Sequence, residues 1–63
     1  MKYYFAYAFQ SENGFGFGHD NIIIKGKITA DTLIEVQEYL FEQNKELFIN
    51  KPIILNWQKL EEE

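Results

Sequence analysis

The sequence contains no cysteine and only one histidine, which limits the ways in which so short a chain can be stabilised. Without cysteine it forms neither disulfides nor thiolate metal sites, and one histidine excludes a multi-histidine site within one chain. We expect residues 1–63 to form a single domain, which buries only about 60% of the surface that its unfolded chain exposes. Dense packing and association with a partner subunit are therefore the remaining sources of extra stability.

Arginine is also absent, because all six basic residues are lysines, and the net charge is −4. Arginine is the preferred donor to phosphates and base edges, so an acidic chain without it is not expected to bind nucleic acid. No apolar run approaches the length of about 18 residues that a membrane span needs. The start, MKYYFAYAF, lacks the pattern of a signal peptide. We expect a cytoplasmic protein that does not associate with a membrane.

Aromatic side chains, by contrast, are abundant and make up 17% of the chain. A domain of this size cannot bury so many large rings. Because large exposed apolar patches usually mark interaction sites, we expect the remaining rings to form a functional surface.

Two segments with alternating side chains predict a β-hairpin. The dipeptide Asn13-Gly14 is typical of a two-residue type I′ turn, in which both central residues need positive φ. Residues 15–25 then form the returning strand, which Gly26 closes. The first strand, residues 2–10, has period two, and one of its faces is aromatic: Tyr3, Phe5, Tyr7 and Phe9.

The segment from Thr29 to Asn44 predicts an amphipathic helix. Thr29 suits the N-cap position, and Asp31 in the first turn suits the positive helix end. Asn44 is the expected end, because asparagine tolerates the left-handed conformation. Apolar residues recur at helical spacing on one face, with Ile34 at its flank: Leu33, Val36, Leu40 and Phe41.

Pro52 begins a third alternating segment, at a position where a missing N–H is tolerated. Ile53, Leu55 and Trp57 share one face of this predicted strand, and the final LEEE is expected to be a frayed acidic tail. The order ββαβ predicts an α+β fold, in which the helix covers one face of a three-stranded sheet. We favour a wholly antiparallel sheet of order 2-1-3, with order 1-2-3 and one parallel pair as the alternative.

In either order the second face of the sheet has no cover within the chain, and the hairpin register decides which side chains form it. A two-residue turn at Asn13-Gly14 places Phe9 opposite Gly18. A three-residue turn places Phe9 beside Phe17 and turns the second strand over, because side chains alternate between the faces. The sequence leaves both registers open.

The stretch NGFGFGHDN has glycine at alternate positions, which raises the question of a phosphate loop. A dinucleotide site needs G-x-G-x-x-G between a strand and a helix, whereas Gly14, Gly16 and Gly18 lie within the predicted hairpin. We therefore expect a glycine-rich strand against which rings or a helix pack closely, or which the backbone of a partner chain approaches.

No residues form a recognisable catalytic set. His19 and Asp20 are the only acid–base pair, and adjacent residues of a strand point to opposite faces. Since the chain offers no activated nucleophile, second base or metal-ligand cluster, the sequence predicts no enzyme, no catalytic residue, no metal and no cofactor.

Acidic residues recur along one side of the predicted helix, where like charges four residues apart cost a few tenths of a kcal/mol. One interpretation is an ordinary solvated face. The other is a negative surface that binds a basic protein, by mimicking nucleic acid. The residues of this acidic stripe are Asp31, Glu35, Glu38, Glu42 and Glu46.

Three segments, YYFAYAF with NGFGFG, ITADTLIEVQEYL and IILNWQKLEEE, together resemble a type of short ββαβ protein found in bacteria, their phages and mobile elements. The resemblance spans nearly the whole chain. It implies a cytoplasmic accessory protein related to a phage or prophage, and it implies no activity and no functional residue.

Two functions follow as hypotheses. The first is a non-enzymatic protein-interaction module, a homodimer through the helix-free sheet face, for which the expected interface residues are Tyr3, Phe5, Tyr7, Phe9 and Trp57, with the opposite set as the alternative if the register differs. The second is an inhibitor that presents the acidic stripe to a host nuclease or another basic, DNA-binding host protein.

Overall fold

The computed structural model describes residues 1–60 and contains three strands and one helix. In chain order these are β1 (Lys2–Ser11), β2 (Gly14–Ile23), α1 (Ala30–Gln43) and β3 (Ile53–Lys59). The sheet has the order β2-β1-β3, and both strand pairs are antiparallel. The predicted α+β fold and strand order are confirmed. Of the predicted acidic tail, residues 61–63 lie outside the described residues.

The hairpin register differs from both predicted registers. Phe9 lies opposite Gly16, and neither opposite Gly18 nor beside Phe17. This register is shifted by two residues from that of the predicted two-residue turn. A shift of two residues keeps every side chain on the same face, so the face assignment of that turn holds although its pairing does not.

The turn itself explains the shift. Ser11 pairs with Gly14, so the chain reverses at Glu12 and Asn13. Gly14 has a φ of 113° and no non-glycine residue within 1–60 has positive φ, so the turn is not the predicted type I′ turn. The Ser11 hydroxyl accepts a hydrogen bond from the Asn13 N–H at 3.3 Å and donates one to the Gly14 carbonyl at 3.1 Å.

The third strand contains a bulge that the sequence pattern does not show. The register of β3 against β1 shifts after Ile54, so that Leu55 is an extra residue. Beyond Leu55, side chains change face relative to strict alternation. Trp57 consequently lies opposite Phe5, so the prediction that it shares a face with Ile53 is wrong.

Side-chain hydrogen bonds define both ends of α1. Thr29 is the N-cap, as predicted: its Oγ1 accepts from the Thr32 N–H at 3.2 Å, and the Thr32 Oγ1 accepts from the Thr29 N–H at 3.2 Å. This is a reciprocal capping box. Asn44 is the C-cap, but its φ of −130° is not left-handed, and its Nδ2 instead donates to the Leu40 carbonyl at 2.9 Å.

The core lies between α1 and the sheet face from which Phe5 and Tyr7 project. These two rings are buried together with Val36 and Leu40 of the helix. Phe48, from the segment between α1 and β3, completes the hydrophobic core cluster. The helix turns its apolar stripe towards these rings because that contact removes the largest apolar area from water.

Candidate interaction surface

The face of the sheet opposite α1 is largely uncovered and is mostly apolar towards the hairpin, and we call it the open face. Phe15 and Phe17 of β2 are 77% and 78% exposed there, and Ile23 and Ile53 are also mostly exposed. In many proteins, large exposed apolar patches mark interaction sites. The strand pairing assigns to the open face the apolar and aromatic side chains of Tyr4, Ala6, Ala8, Phe15, Phe17, His19, Ile23 and Ile53, together with the polar side chains of Lys2, Gln10, Asn21, Asn56 and Gln58.

The middle of the open face is recessed, because the side chains there are small. Ala8 of the central strand lies between Phe17 on one side and Ile53 on the other. Large side chains on the outer strands therefore flank a shallow trough along β1. A two-fold rotation can place the large side chains of one copy over the trough of another, as a self-complementary interface requires.

Gly16 and Gly18 determine the opposite, helix-facing side of β2. A Cβ atom at Gly16 would lie 2.6 Å from Cζ of Phe9, and one at Gly18 would lie 2.8 Å from Cζ of Tyr7. The rings of β1 thus lean across β2 into space that only glycine leaves free. The predicted packing of rings against a glycine-rich strand is confirmed, and Phe15 and Phe17, which alternate with these glycines, lie on the open face.

The residues predicted to form the helix-free face lie on the helix side of the sheet, so their predicted location is wrong. Phe5 is 0% exposed and Tyr7 8% exposed, whereas Trp57 retains 41% of its surface. The helix covers the face that is richest in large rings, since burial there is most favourable. The side chains on the opposite face of β1, which remained the alternative because the sequence did not determine the hairpin register, contribute to the open face. The displaced residues are Tyr3, Phe5, Tyr7, Phe9 and Trp57.

The single histidine does not form an acid–base dyad. His19 lies on the open face and stacks on Tyr4, with ring centroids 5.6 Å apart. Asp20 points to the helix side, and its Oδ1 accepts a hydrogen bond from the Asn21 N–H at 2.8 Å. On that side, burial raises the pKa of the Tyr7 phenol, and the negative charge of Asp20 raises it further.

The acidic stripe is exposed but partly neutralised. Glu38 pairs with Lys51 at 3.3 Å, and Glu42 pairs with Lys45 at 3.2 Å. Lys51 comes from the segment before β3, so helical spacing could not show this partner. Glu46 lies beyond the end of α1. Exposed pairs of this kind contribute little to stability, but they reduce the charge that the stripe offers to a basic partner.

A cleft of about 660 Å³ lies between the end of β2 and α1. Ile22, Ile24 and Val36 are among its apolar lining residues, and Lys25 and Glu35 are its charged ones. Its volume falls within the range of about 300–1,000 Å³ found for ligand sites. Within residues 1–60, however, no cluster of three or more histidine or acidic side chains could hold a metal ion there or elsewhere.

No helix within the described part of the chain is long and apolar enough to cross a membrane. No family model, curated protein or solved structure matches this chain.

Proposed function

We propose that the protein is a non-enzymatic, cytoplasmic interaction module that forms a homodimer through its open face. The observation that supports this most directly is the exposure of Phe15 and Phe17, at 77% and 78%. Two large rings next to each other on one strand, exposed on a face without a covering layer, are costly to leave in water.

The size of the open face is sufficient for a specific contact. A phenylalanine contributes about 150–250 Å² when it is fully buried, so the exposed parts of Phe15 and Phe17 amount to roughly 300 Å². Ile23, Ile53 and the alanine trough bring the area to roughly 600 Å² for each copy. Two copies then bury about 1,200 Å², the lower limit for stable protein–protein interfaces.

The charge distribution also favours contact between two copies at this face. The chain has a net charge of −4, yet no carboxylate within residues 1–60 lies on the open face. Glu12 lies in the hairpin turn and Asp20 points to the helix side. The other carboxylates lie on α1 or in the segment directly after it. Two acidic molecules can therefore stack these faces without placing carboxylates opposite each other.

Light scattering across a concentration series tests this proposal with a double variant, Phe15→Ser with Phe17→Ser. The wild type should have the mass of at least two chains, and the double variant should have half that mass or less with an unchanged circular dichroism spectrum. Ile34→Ser is the matched control, because Ile34 is half exposed on the helix and should leave the mass unchanged. A wild type that is monomeric at high micromolar concentration would contradict the proposal.

The acidic stripe supports a second, weaker candidate, an inhibitor of a basic host protein, for which the resemblance to phage-related proteins provides a setting. Its five carboxylate residues are all exposed, but two of them pair with lysines. Reversing Glu35, Glu38 and Glu42 to lysine should abolish capture of a purified bacterial nuclease if this candidate holds. Unchanged capture would contradict it.

A further inference from the structure

The two edges of the sheet differ in how they are protected against pairing with another chain. Edge strands usually carry proline, lysine or a bulge that prevents such pairing. The β3 edge has all three: Pro52 directly precedes it, Leu55 forms a bulge, and Lys59 ends it. The β2 edge runs for ten residues without proline, lysine or a register shift.

The hydrogen-bond pattern identifies the backbone groups that β2 directs away from the sheet. The Ile24 N–H donates to the Met1 carbonyl at 2.8 Å, and the Met1 amino group donates to the Ile24 carbonyl at 3.1 Å. In an antiparallel pair, inward and outward residues alternate along the strand. Even-numbered residues of β2 therefore bond to β1, and odd-numbered ones direct their N–H and C=O groups outwards.

Three successive outward positions are available for pairing. No hydrogen bond within the described part of the chain occupies the outward N–H of Phe15, Phe17 or His19. At the next outward position, by contrast, the Asn21 N–H already donates to the Asp20 side chain at 2.8 Å. The free part of the edge is therefore the segment from Phe15 to His19.

We propose that this segment pairs with the same segment of a second copy, in an antiparallel contact whose two-fold axis passes by Phe17. In that register Phe17 exchanges two hydrogen bonds with Phe17 of the second copy. Phe15 of each copy exchanges two hydrogen bonds with His19 of the other copy. A centre at His19 is disfavoured, because it would require the Asn21 N–H that Asp20 occupies.

The side chains of the segment are compatible with a second copy as the occupant. Residues 15–19 read FGFGH and contain no acidic residue or lysine, so two chains of net negative charge meet there without like-charge repulsion. On the open face, Phe17 meets its counterpart and Phe15 meets a histidine ring, and such aromatic cross-strand pairs stabilise sheets. On the helix side, Gly16 of each copy faces Gly18 of the other, so no side chains collide.

This edge contact is independent of the open-face contact and compatible with it. Its axis is perpendicular to the sheet, whereas the axis of face stacking lies in the sheet plane. Edge pairing joins two open faces into one of twice the width. If the two axes intersect, the two contacts together give a closed assembly of four copies with D2 symmetry.

Amide hydrogen exchange on the full chain tests the edge contact. At high micromolar concentration the outward amides of Phe17 and His19 should exchange at least about tenfold more slowly than they do on dilution. The control is Lys59: because the Leu60 N–H bonds to the Lys2 carbonyl at 2.9 Å, the Lys59 N–H points outwards from the other edge and should exchange fast at all concentrations. Equally fast exchange at Phe17, His19 and Lys59 would overturn the proposal.

Mass measurements on two variants of one residue separate this proposal from face stacking. His19→Pro removes an outward N–H, which an edge strand tolerates, whereas His19→Ala removes only the side chain. The proline variant should have half the mass of the alanine variant. Equal masses with both variants folded would overturn edge pairing without affecting the open-face contact, and the exchange measurement decides the matter if the proline variant does not fold.

Discussion

At the scale of single residues, the absence of a side chain at Gly16 is as important as the presence of the Phe9 ring. The ring occupies the position that a Cβ at Gly16 would need, at 2.6 Å. It cannot move away freely, because it stacks on Phe48 with centroids 4.6 Å apart and planes inclined by 18°. The glycine thus makes room for a ring pair that links the sheet to the segment after α1.

We predict that Gly16→Ala destabilises the protein although alanine is otherwise favoured over glycine in a strand. Overpacking costs about 1–3 kcal/mol, and the smaller loss of backbone entropy returns only about 0.5–1 kcal/mol. Urea unfolding should show a net loss of about 1 kcal/mol. In a Phe9→Leu background the same substitution should cost less, and an equal cost in both backgrounds would show that the ring is not the cause.

A second residue-scale prediction concerns Tyr7. Burial, and then the charge of Asp20, raise the pKa of its phenol above the ordinary 10.0. Because the folded pKa lies above the unfolded one, this stabilising contribution is complete below pH about 10 and is lost as pH rises through the folded pKa. Absorbance titration should show one tyrosinate forming late. Tyr7→Phe should remove that step, and Asp20→Asn should move it to lower pH; a late step that survives Tyr7→Phe would contradict the assignment.

At the scale of secondary-structure elements, the start of the helix is determined by local capping residues that can be recognised in the sequence. Its N-terminus is fixed by Thr29 and Thr32, whose side chains each accept a hydrogen bond from the backbone N–H of the other. Both residues lie in one short segment, so their partnership does not depend on the rest of the fold.

We predict that Thr29→Ala lowers the free energy of unfolding by about 1 kcal/mol, because the Thr32 N–H loses its acceptor. Thr29→Ser retains an oxygen at the same position and should cost much less. Thermal or urea unfolding of the two variants measures the difference. An equal loss in both would indicate that the threonine methyl group, and not the hydrogen bond, is responsible.

The strands, in contrast, depend on pairing that local sequence does not specify. The bulge at Leu55 lies within the pairing of β3 with β1 from Tyr3 to Ala8, and it moves Trp57 to the other face. Alternation along β3 gave no sign of it. The hairpin turn likewise begins one residue earlier than Asn13-Gly14 suggests, because the Ser11 hydroxyl bonds to the turn backbone.

At the scale of the whole molecule, a small core makes one ring outside the regular elements indispensable. Phe48 is buried, stacks on Phe9 and contacts Tyr7 edge-on, with centroids 6.0 Å apart. Its segment is held to the sheet by the Ile49 N–H, which donates to the Gln10 carbonyl at 2.8 Å. The ring closes the end of the core that α1 does not reach.

We predict that Phe48→Ala leaves a substantial fraction of the protein unfolded at room temperature. Truncation of a buried phenylalanine costs about 3–5 kcal/mol, which approaches the total stability expected at the low end of the usual range of about 5–15 kcal/mol. Leu47→Ala, next in sequence but half exposed, should change stability by no more than about 0.5 kcal/mol. Circular dichroism checks both, and a folded Phe48→Ala variant would show that the core does not depend on this ring.

The sequence favoured the observed strand order over one alternative, and its single helix implied one sheet face without cover. The ββαβ order, the helix and its two cap residues could be predicted from the sequence alone. Those features follow from periodicity and local hydrogen bonding, which neighbouring residues specify. Which face is uncovered depends on where α1 buries the most apolar area, and this is a property of the packed molecule. The rings of Phe5 and Tyr7 went to the helix, and the open face was left to Phe15 and Phe17, whose intervening glycines make room for the rings of β1.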